Sequence, residues 1–183
     1  MKGKKLNSIS IEEHKKSNLT RRKFIRNSAL TLGAISIVPR HVLGKGFVAP
    51  SDKVNLGFIG LGKQSRGLAS RFVENTNAQI VAGCDVWTTK NAWFKGHVEK
   101  VYAEHRNQSN YNSISTYLEY KELLDQPEID AVVIATPDHW HAMQSIDAMK
   151  SGKDVFCEKP LTHTLKEGSD MVKWAKKTGK IVQ

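Results

Sequence analysis

The stretch Val54-Asn55-Leu56-Gly57-Phe58-Ile59-Gly60-Leu61-Gly62 decides the fold of this chain. Its first six residues are largely apolar and predict a buried β-strand. Two glycines follow at once, and residues 63–74 carry apolar side chains at helical spacing. A strand, a glycine turn and a helix in this order are typical of the first unit of a doubly wound parallel sheet.

The rest of the chain repeats this alternation. Further strand-like runs lie at 79–84, 131–135 and 154–157, and residues 180–183 begin another. Helical patterns occupy 63–74, 87–106, part of 117–124, the segment around 142–149, and 164–178. Alternating strands and helices separated by glycine turns predict an α/β fold of the Rossmann type, with a doubly wound parallel sheet.

The positive charge of the chain is concentrated in its first 50 residues. The whole chain has 28 Lys and Arg against 18 Asp and Glu, a formal net charge of +10. Residues 1–50 hold 11 of the basic and 2 of the acidic side chains, which leaves 17 and 16 for residues 51–183. The folded part is therefore nearly neutral, and we expect no nucleic-acid partner.

The two cysteines, Cys84 and Cys157, fall at the ends of predicted strands. Small thiols are common in protein cores, so we expect free buried cysteines rather than a disulfide. Neither has the neighbours of a metal-binding cluster, and we expect no metal. No apolar run approaches the roughly 20 residues of a membrane-spanning helix.

Residues 1–50 predict an export signal and linker, and residues 51–183 a folded domain. Thr20-Arg21-Arg22-Lys23-Phe24-Ile25-Arg26 precedes a short, modestly apolar run from Ser28 to Pro39. This order resembles a bacterial twin-arginine signal, with a basic amphipathic anchor or a disordered tail as the alternative. Because Val48-Ala49-Pro50 marks a cleavage site poorly, we expect a protein exported by the twin-arginine machinery that is either periplasmic or tethered to the membrane.

The glycine turn and the next strand predict a dinucleotide site. Gly60 permits the tight turn, and Gly62 lets the backbone approach a pyrophosphate at the helix N-terminus. Ser65 replaces the third glycine of the G-x-G-x-x-G pattern, so a glycine-rich turn without a ligand is the alternative. Asp85 lies 25 residues after Gly60, at the end of the second strand. A carboxylate there accepts hydrogen bonds from the adenosine ribose and repels a 2′-phosphate, which favours NAD over NADP; a solvent-facing loop aspartate is the alternative.

Polar residues also follow the two later strands. Thr136-Pro137-Asp138-His139-Trp140-His141 comes after one, and Glu158-Lys159-Pro160 comes after the next. In open α/β sheets, ligands bind outside the carboxyl ends of the strands. A lysine there can handle the proton of a substrate hydroxyl, and a surface lysine in a turn is the alternative for Lys159. We assign His139 to the helix start and leave His141 open.

Other aromatic and histidine positions are assigned to structure rather than chemistry. We expect Trp87 and Trp93 to be packing residues near the apolar positions of the helix at 87–106. We expect His97 and His105 at exposed helix positions and His163 in a loop.

Together, these motifs resemble the Gfo/Idh/MocA oxidoreductases, the relatives of glucose–fructose oxidoreductase and inositol dehydrogenase. The resemblance rests on Gly60-Leu61-Gly62, Asp85, Ala135-Thr136-Pro137-Asp138 with His141, and Gly152-Lys153-Asp154-Val155 leading to Glu158-Lys159-Pro160. It covers about residues 53–183, the nucleotide-binding half of such proteins. The leader and the Asp-His-Trp-His run resemble an exported branch common in sugar-degrading bacteria.

The resemblance implies NAD(H) bound at the glycine turn, and hydride transfer between nicotinamide and a sugar or cyclitol carbon. The cofactor residues that it implies are Gly60, Leu61, Gly62, Asp85, Thr136, Pro137 and Glu158. It implies Lys159 and His141 as the catalytic candidates: Lys159 would hydrogen-bond the reacting hydroxyl, and His141 would line the nicotinamide side.

The resemblance also implies a longer protein than this chain. Family members continue into a second α/β domain, which supplies much of the sugar pocket and the usual oligomer interface. We therefore expect a chain truncated before that domain, which forms homo-oligomers only if the domain is present. Three functions stay open: half of a sugar or cyclitol oxidoreductase, an NAD-dependent glycosidase-like enzyme, or an NAD-binding module without turnover.

Overall fold

The computed structural model describes residues 52–106 and 113–183, so the predicted export signal at 1–50 lies outside the described residues. The strands are β1 (Val54–Ile59), β2 (Ala78–Cys84), β3 (Ser115–Tyr117), β4 (Ala131–Ile134) and β5 (Asp154–Cys157). The helices are α1 (Lys63–Val73), α2 (Thr88–Arg106), α3 (Tyr120–Leu124), α4 (Asp138–Lys150) and α5 (Leu165–Thr178). The predicted alternation of strands and helices is therefore confirmed.

The five strands form one parallel sheet in the order β3-β2-β1-β4-β5. The chain runs outward from β1 to β3 and then returns to the other side of β1 with β4. This reversal is the point at which open α/β sheets form a ligand-binding crevice. The doubly wound Rossmann-type fold is confirmed, and its crevice is expected between the ends of β1 and β4.

The sheet has a packed core on each face. Side chains alternate along a strand, so Leu56 and Phe58 of β1 join one cluster and Ile59 joins the other. Phe58 is fully buried and lies edge-on to Phe72 of α1, with ring centroids 5.9 Å apart. Fully burying one such side chain contributes roughly 1.5–3 kcal/mol, which makes the β1–α1 contact a major source of stability.

The register aligns the strand ends at one edge of the sheet. Cys84 pairs with Tyr117 on one side and with Ile59 on the other. Ile134 continues the row from Ile59 and pairs in turn with Cys157. The residues that follow all five strands therefore emerge side by side, which brings the polar segments predicted from sequence to one edge.

Local capping explains the bounds of α5. The Thr164 hydroxyl accepts from the Glu167 amide at 3.2 Å, and the Glu167 carboxylate accepts from the Thr164 amide at 2.8 Å. This reciprocal capping box begins the helix, and Gly179 in the left-handed region ends it. Beyond it, Val182 forms a parallel bridge with Val155, so the strand-like pairing expected for 180–183 lies beside β5.

The two cysteines are free and buried, as predicted. Cys84 ends β2 and Cys157 ends β5, three strand intervals apart in the sheet. At roughly 4.8 Å per interval they lie about 14 Å apart, well beyond the reach of a disulfide.

Within the described ranges, no helix is long and apolar enough to cross a membrane.

The prediction for Trp87 is wrong, because its side chain is 62% exposed. It lies on the loop between β2 and α2, before the helix that was expected to bury it. Trp93 does pack: its ring stacks on His97 with centroids 4.8 Å apart. This contact leaves His97 half-buried rather than exposed, whereas His105 and His163 are exposed as predicted.

Candidate functional site

A cavity of about 690 Å³ lies at the carboxyl edge of the sheet. Its walls come from the segments that follow β1, β2, β3 and β4. Among the predicted site residues, it is lined by Gly60, Gly62, Asp85, Thr136 and Pro137. Three of the predicted segments, those after β1, β2 and β4, therefore meet around one cleft, which is large enough for a substantial organic ligand.

The glycine turn has the shape that a pyrophosphate site needs. Gly60 adopts φ +86°, and a Cβ atom there would lie 2.8 Å from the Thr136 amide nitrogen. Only glycine tolerates both this backbone and this approach. Gly62 precedes α1, and a Cβ built there would meet nothing within 4 Å. The first turn of α1 carries no side-chain cap, which leaves its first amides to a ligand, and Lys63 and Gln64 of that turn line the cleft.

Leu61 contributes to this turn from behind rather than from the cleft. Its side chain is fully buried in the core, and it is not among the residues that line the cavity. Its amide donates to Asp85 Oδ2 at 2.9 Å. Leu61 therefore joins the glycine turn to the end of β2. Because its amide donates to Asp85, that amide is not available to a ligand.

Asp85 is 8% exposed and is held by several hydrogen bonds. In addition to the bond from Leu61, Oδ1 accepts from the Trp87 amide at 3.0 Å. The Lys90 ammonium lies 3.3 Å from Oδ2 and forms an ion pair. A carboxylate has about four acceptor positions, so one is left for a ribose hydroxyl. The ion pair also offsets the negative charge that was predicted to repel a 2′-phosphate.

Asn91 is a site residue that the sequence reasoning missed. It is buried, and its amide donates to the Asp85 carbonyl at 2.7 Å and the Tyr117 carbonyl at 3.1 Å. Its Oδ1 accepts from the Asp85 amide at 3.1 Å. Asn91 thus fixes the backbone that carries the acidic side chain. Its position in the first turn of the helix after Asp85 is the sequence feature that could have identified it.

Ser65 occupies the place of the third glycine and is fully buried. Among the residues that the structure describes, its hydroxyl has no hydrogen-bond partner. Burying a hydroxyl without a partner costs about 1–3 kcal/mol. The turn at Gly60 and the helix α1 both form with serine in place of the third glycine. The buried hydroxyl of Ser65 lowers the stability of the fold.

Tyr120 forms part of the cleft wall and was also missed. Its hydroxyl donates to Asp147 Oδ2 of α4 at 2.8 Å. Burial, followed by this hydrogen bond and the charge of Asp147, raises the pKa of Tyr120 to about 12. Tyr120 is therefore a neutral hydrogen-bond donor near neutral pH and does not serve as a base.

The segment after β4 carries Thr136, Pro137 and His141. Thr136 Oγ1 donates to Oε1 of the buried Gln144 at 2.7 Å, and both residues line the cleft. His141 is 2% exposed and is not among the lining residues. His139 lies exposed in the first turn of α4, as predicted.

Glu158 and Lys159 follow β5. Neither is among the residues that line the cleft. Glu158 Oε1 accepts from Gln64 Nε2 at 3.0 Å, and Gln64 does line the cleft. Glu158 therefore links the end of β5 to the first turn of α1. Lys159 is exposed, and the Lys159–Pro160 peptide is cis.

Among the described residues, no cluster of three or more His, Cys, Asp or Glu side chains could hold a metal.

The fold and the cleft define a dinucleotide-binding Rossmann domain. A family model described as "Oxidoreductase family, NAD-binding Rossmann fold" matches residues 54–183. The chain therefore belongs to the Gfo/Idh/MocA oxidoreductase family, and its cofactor is NAD. The glycine turn, the capless first turn of α1 and the acceptor left on Asp85 fit this cofactor.

Relatives in this family include both hydrolases and dehydrogenases. The chain is 35% identical over 158 residues to a glycosyl hydrolase family 109 protein of Shewanella sp. strain ANA-3, covering 84% of this chain and 34% of the relative. An alpha-N-acetylgalactosaminidase of Shewanella oneidensis has the same identity and coverage. The structure of myo-inositol 2-dehydrogenase from Lactobacillus plantarum matches with 30% identity and a TM-score of 0.60, covering 72% of this chain and 35% of that one. The chain thus spans about a third of the length of these relatives.

Proposed function

We propose that this chain is the NAD-binding part of an enzyme that transfers a hydride between nicotinamide and a hydroxyl-bearing carbon of a sugar or cyclitol. The observation that supports this most directly is the cleft where Gly60, Gly62, Asp85 and Thr136 meet at the carboxyl edge of the sheet. The inositol dehydrogenase among its structural relatives acts on a cyclitol, which supports this substrate class.

Each wall of the cleft has a separate part in this proposal. The turn at Gly60 and Gly62 holds the pyrophosphate against the first amides of α1. Asp85 accepts a hydrogen bond from the adenosine ribose. Thr136 and Pro137 border the other end of the cleft, on the segment after β4, where the nicotinamide is bound. Bound NAD supplies or accepts the hydride.

Lys159 is proposed to hydrogen-bond the reacting hydroxyl and to handle its proton. Loss of a hydride from an alcohol carbon requires the hydroxyl proton to leave as well. Lys159 follows β5, which pairs with β4, and the preceding Glu158 is bonded to Gln64 on the cleft wall. These contacts support a position at the nicotinamide end, on the side where a substrate can approach.

A second candidate is an NAD-dependent glycosidase, which the two hydrolase relatives favour. Hydrolysis of a glycosidic bond is redox-neutral. A glycosidase that uses hydride transfer must therefore return the hydride to the sugar in every turnover. The same cleft serves both candidates, and they differ in whether reduced cofactor accumulates.

Incubation of the protein with NAD and two probe substrates separates these functions. A dehydrogenase accumulates NADH, seen by absorbance, when myo-inositol is supplied. A glycosidase releases nitrophenol from a nitrophenyl α-N-acetylgalactosaminide in an NAD-dependent manner without accumulating NADH. Binding of NADH with neither activity supports the third function, an NAD-binding module. Absence of NADH binding contradicts all three.

We also propose that residues 1–50 direct export by the twin-arginine route, to the periplasm or to a membrane tether facing it. The paired Arg21 and Arg22, followed by an apolar run, support this. A fusion of residues 1–50 to a reporter should be exported, and replacing both arginines with lysine should abolish export. Continued export of the lysine variant contradicts the proposal.

A further inference from the structure

Glu119 is an exposed acidic residue on the wall of the cleft. It lies between Tyr117, which ends β3, and the start of α3. Tyr117 pairs with Cys84 in the register of the sheet, and its carbonyl accepts from the Asp85 amide at 3.3 Å. The segments that carry Glu119 and Asp85 therefore leave the sheet side by side, and both residues line the cleft.

The carboxylate of Glu119 forms no ion pair within residues 52–106 and 113–183. It also does not cap α3, because Glu119 is the N-cap residue and makes no side-chain hydrogen bond there. Asp85 differs, since the Lys90 ammonium lies 3.3 Å from its Oδ2 and balances its charge. Of the two acidic residues that line the cleft, Glu119 is therefore the one whose charge is unbalanced.

The negative charge of Glu119 also acts at the end of β2. The pKa of the Cys84 thiol is raised to about 12, chiefly by burial, then by the charge of Asp85 and next by that of Glu119. Cys84 immediately precedes Asp85. Since the Coulomb energy of two charges falls only inversely with their distance, a carboxylate that acts on Cys84 also acts on a phosphate bound beside Asp85.

We propose that Glu119 is the residue by which this cleft selects NAD over NADP. The two cofactors differ by a phosphate on the adenosine ribose, which adds about −1.5 to −2 charges near neutral pH. Because Lys90 balances Asp85, repulsion of that phosphate is left to Glu119. Glu119 has this role only if Asp85 holds the ribose as proposed, and the selectivity then depends on the segment after β3 as well as on the end of β2.

Glu119→Gln tests this role, because it removes the charge and keeps the shape of an exposed side chain. Titration of the full chain with NADH and with NADPH at low ionic strength gives the ratio of the two dissociation constants. The affinity for NADPH should rise at least about fivefold, the effect of one unit charge roughly 4 Å away in water, and that for NADH should change less than about twofold. Glu122→Gln is the matched control and should keep the ratio of the parent. Glu122 is exposed on α3, does not line the cleft and acts on Cys84 less than Glu119 does.

Salt provides a second readout of the same charge. The difference in ratio between the parent and Glu119→Gln should shrink as salt is added, because the screening length falls to about 8 Å at about 0.15 M. An unchanged ratio in Glu119→Gln, with NADH still bound, overturns the role of Glu119 and leaves the proposed function standing. An equal change in the affinity for both cofactors also overturns it, since the carboxylate then contacts a group that they share. Absence of NADH binding to the parent contradicts the proposed function itself.

Discussion

The amide of Leu61 donates to Asp85 Oδ2 at 2.9 Å, which joins the glycine turn to the acidic end of the second strand. The two motifs are therefore one structural unit. A change at Asp85 alters the turn that is proposed to hold the pyrophosphate as well as the proposed contact with the ribose. This coupling shapes the first prediction.

Asp85→Asn should weaken NADH binding by at least about tenfold. Asparagine has one acceptor oxygen, so it cannot accept from both the Leu61 and the Trp87 amides, and it carries no charge. Hydrogen bonds to charged groups are worth about 1.5–3 kcal/mol. NADH fluorescence titration measures the change. Asp125→Asn, at an exposed position, is the matched control and should bind like the parent. Equal affinity in both variants would exclude Asp85 from the cofactor site.

Lys90→Met should reduce the affinity for NADP more than the affinity for NAD. The Lys90 ammonium lies 3.3 Å from Asp85 Oδ2, so its loss leaves the carboxylate unbalanced where a 2′-phosphate would bind. Parallel titrations with both reduced cofactors at low ionic strength measure the ratio. Lys95→Met, on the exposed face of the same helix, is the control. An unchanged ratio would show that the pair does not face the ribose.

Trp87→Ala should weaken binding of AMP as well as of NADH. Trp87 is 62% exposed, lines the cleft and follows Asp85 closely, so we expect its ring to stack on the adenine. Base–aromatic stacking is worth about 1–3 kcal/mol, or roughly tenfold and more in affinity. Trp140 lines the other end, after β4, and Trp140→Ala should leave AMP binding unchanged. Equal loss of AMP affinity in both variants would contradict this placement.

Ser65→Ala should stabilise the protein by about 1 kcal/mol. The substitution removes a buried hydroxyl that lacks a partner among the described residues, and alanine is a better helix former. Urea unfolding measures the free energy. Ser70→Ala removes an exposed serine of the same helix and should change stability by less than about 0.5 kcal/mol. A destabilised Ser65→Ala variant would show that the hydroxyl does have a partner.

Stability should fall as the pH rises above about 9. Burial, with a smaller contribution from Asp85, raises the pKa of Cys84 from 9.0 to about 12, and burial raises that of Cys157 from 9.0 to about 11. Both thiols hold their proton more tightly when folded. Their contribution is therefore complete below pH 9.0 and is lost as the pH rises through the folded values.

Urea midpoints at about pH 8 and about pH 10 test this linkage. The decrease between the two should be smaller in Cys84→Ala and in Cys157→Ala than in the parent. Each alanine substitution also leaves a cavity that lowers stability at both pH values. This loss cancels, because only the change in midpoint between the two pH values is compared. Since the pKa of Tyr120 also rises, from 10.0 to about 12, some pH dependence should persist in each variant. Slopes equal to that of the parent would contradict the linkage.

Much of the fold could be predicted because its determinants are local. The apolar run at 54–59, the glycines after it and the helical spacing beyond are read within about 20 residues, and the later units repeat them. The exposure of Trp87 could not be predicted in this way. It depends on where the loop after β2 turns relative to α2, and apolarity alone does not specify that direction.

The site was predictable as a set of segments but not as a set of contacts. Gly60, Gly62, Asp85, Thr136 and Pro137 line one cleft because parallel strands in register bring their ends to one edge. Gln64 and Tyr120 were missed because each acts through a partner far along the chain, whereas Asn91 acts on the Asp85 backbone only six residues away. Gln64 and Glu158, for example, are 94 residues apart.

The sequence by itself determined that a strand, a glycine turn and a helix come first and that an acidic residue ends the next strand. These features depend on backbone preference and on the spacing of apolar side chains. Only the tertiary structure decided which polar atoms are already occupied. The Leu61 amide is used by Asp85, and both nitrogens of His141 face carbonyls, because the register of the sheet brings together groups that the chain keeps 24 and 19 residues apart.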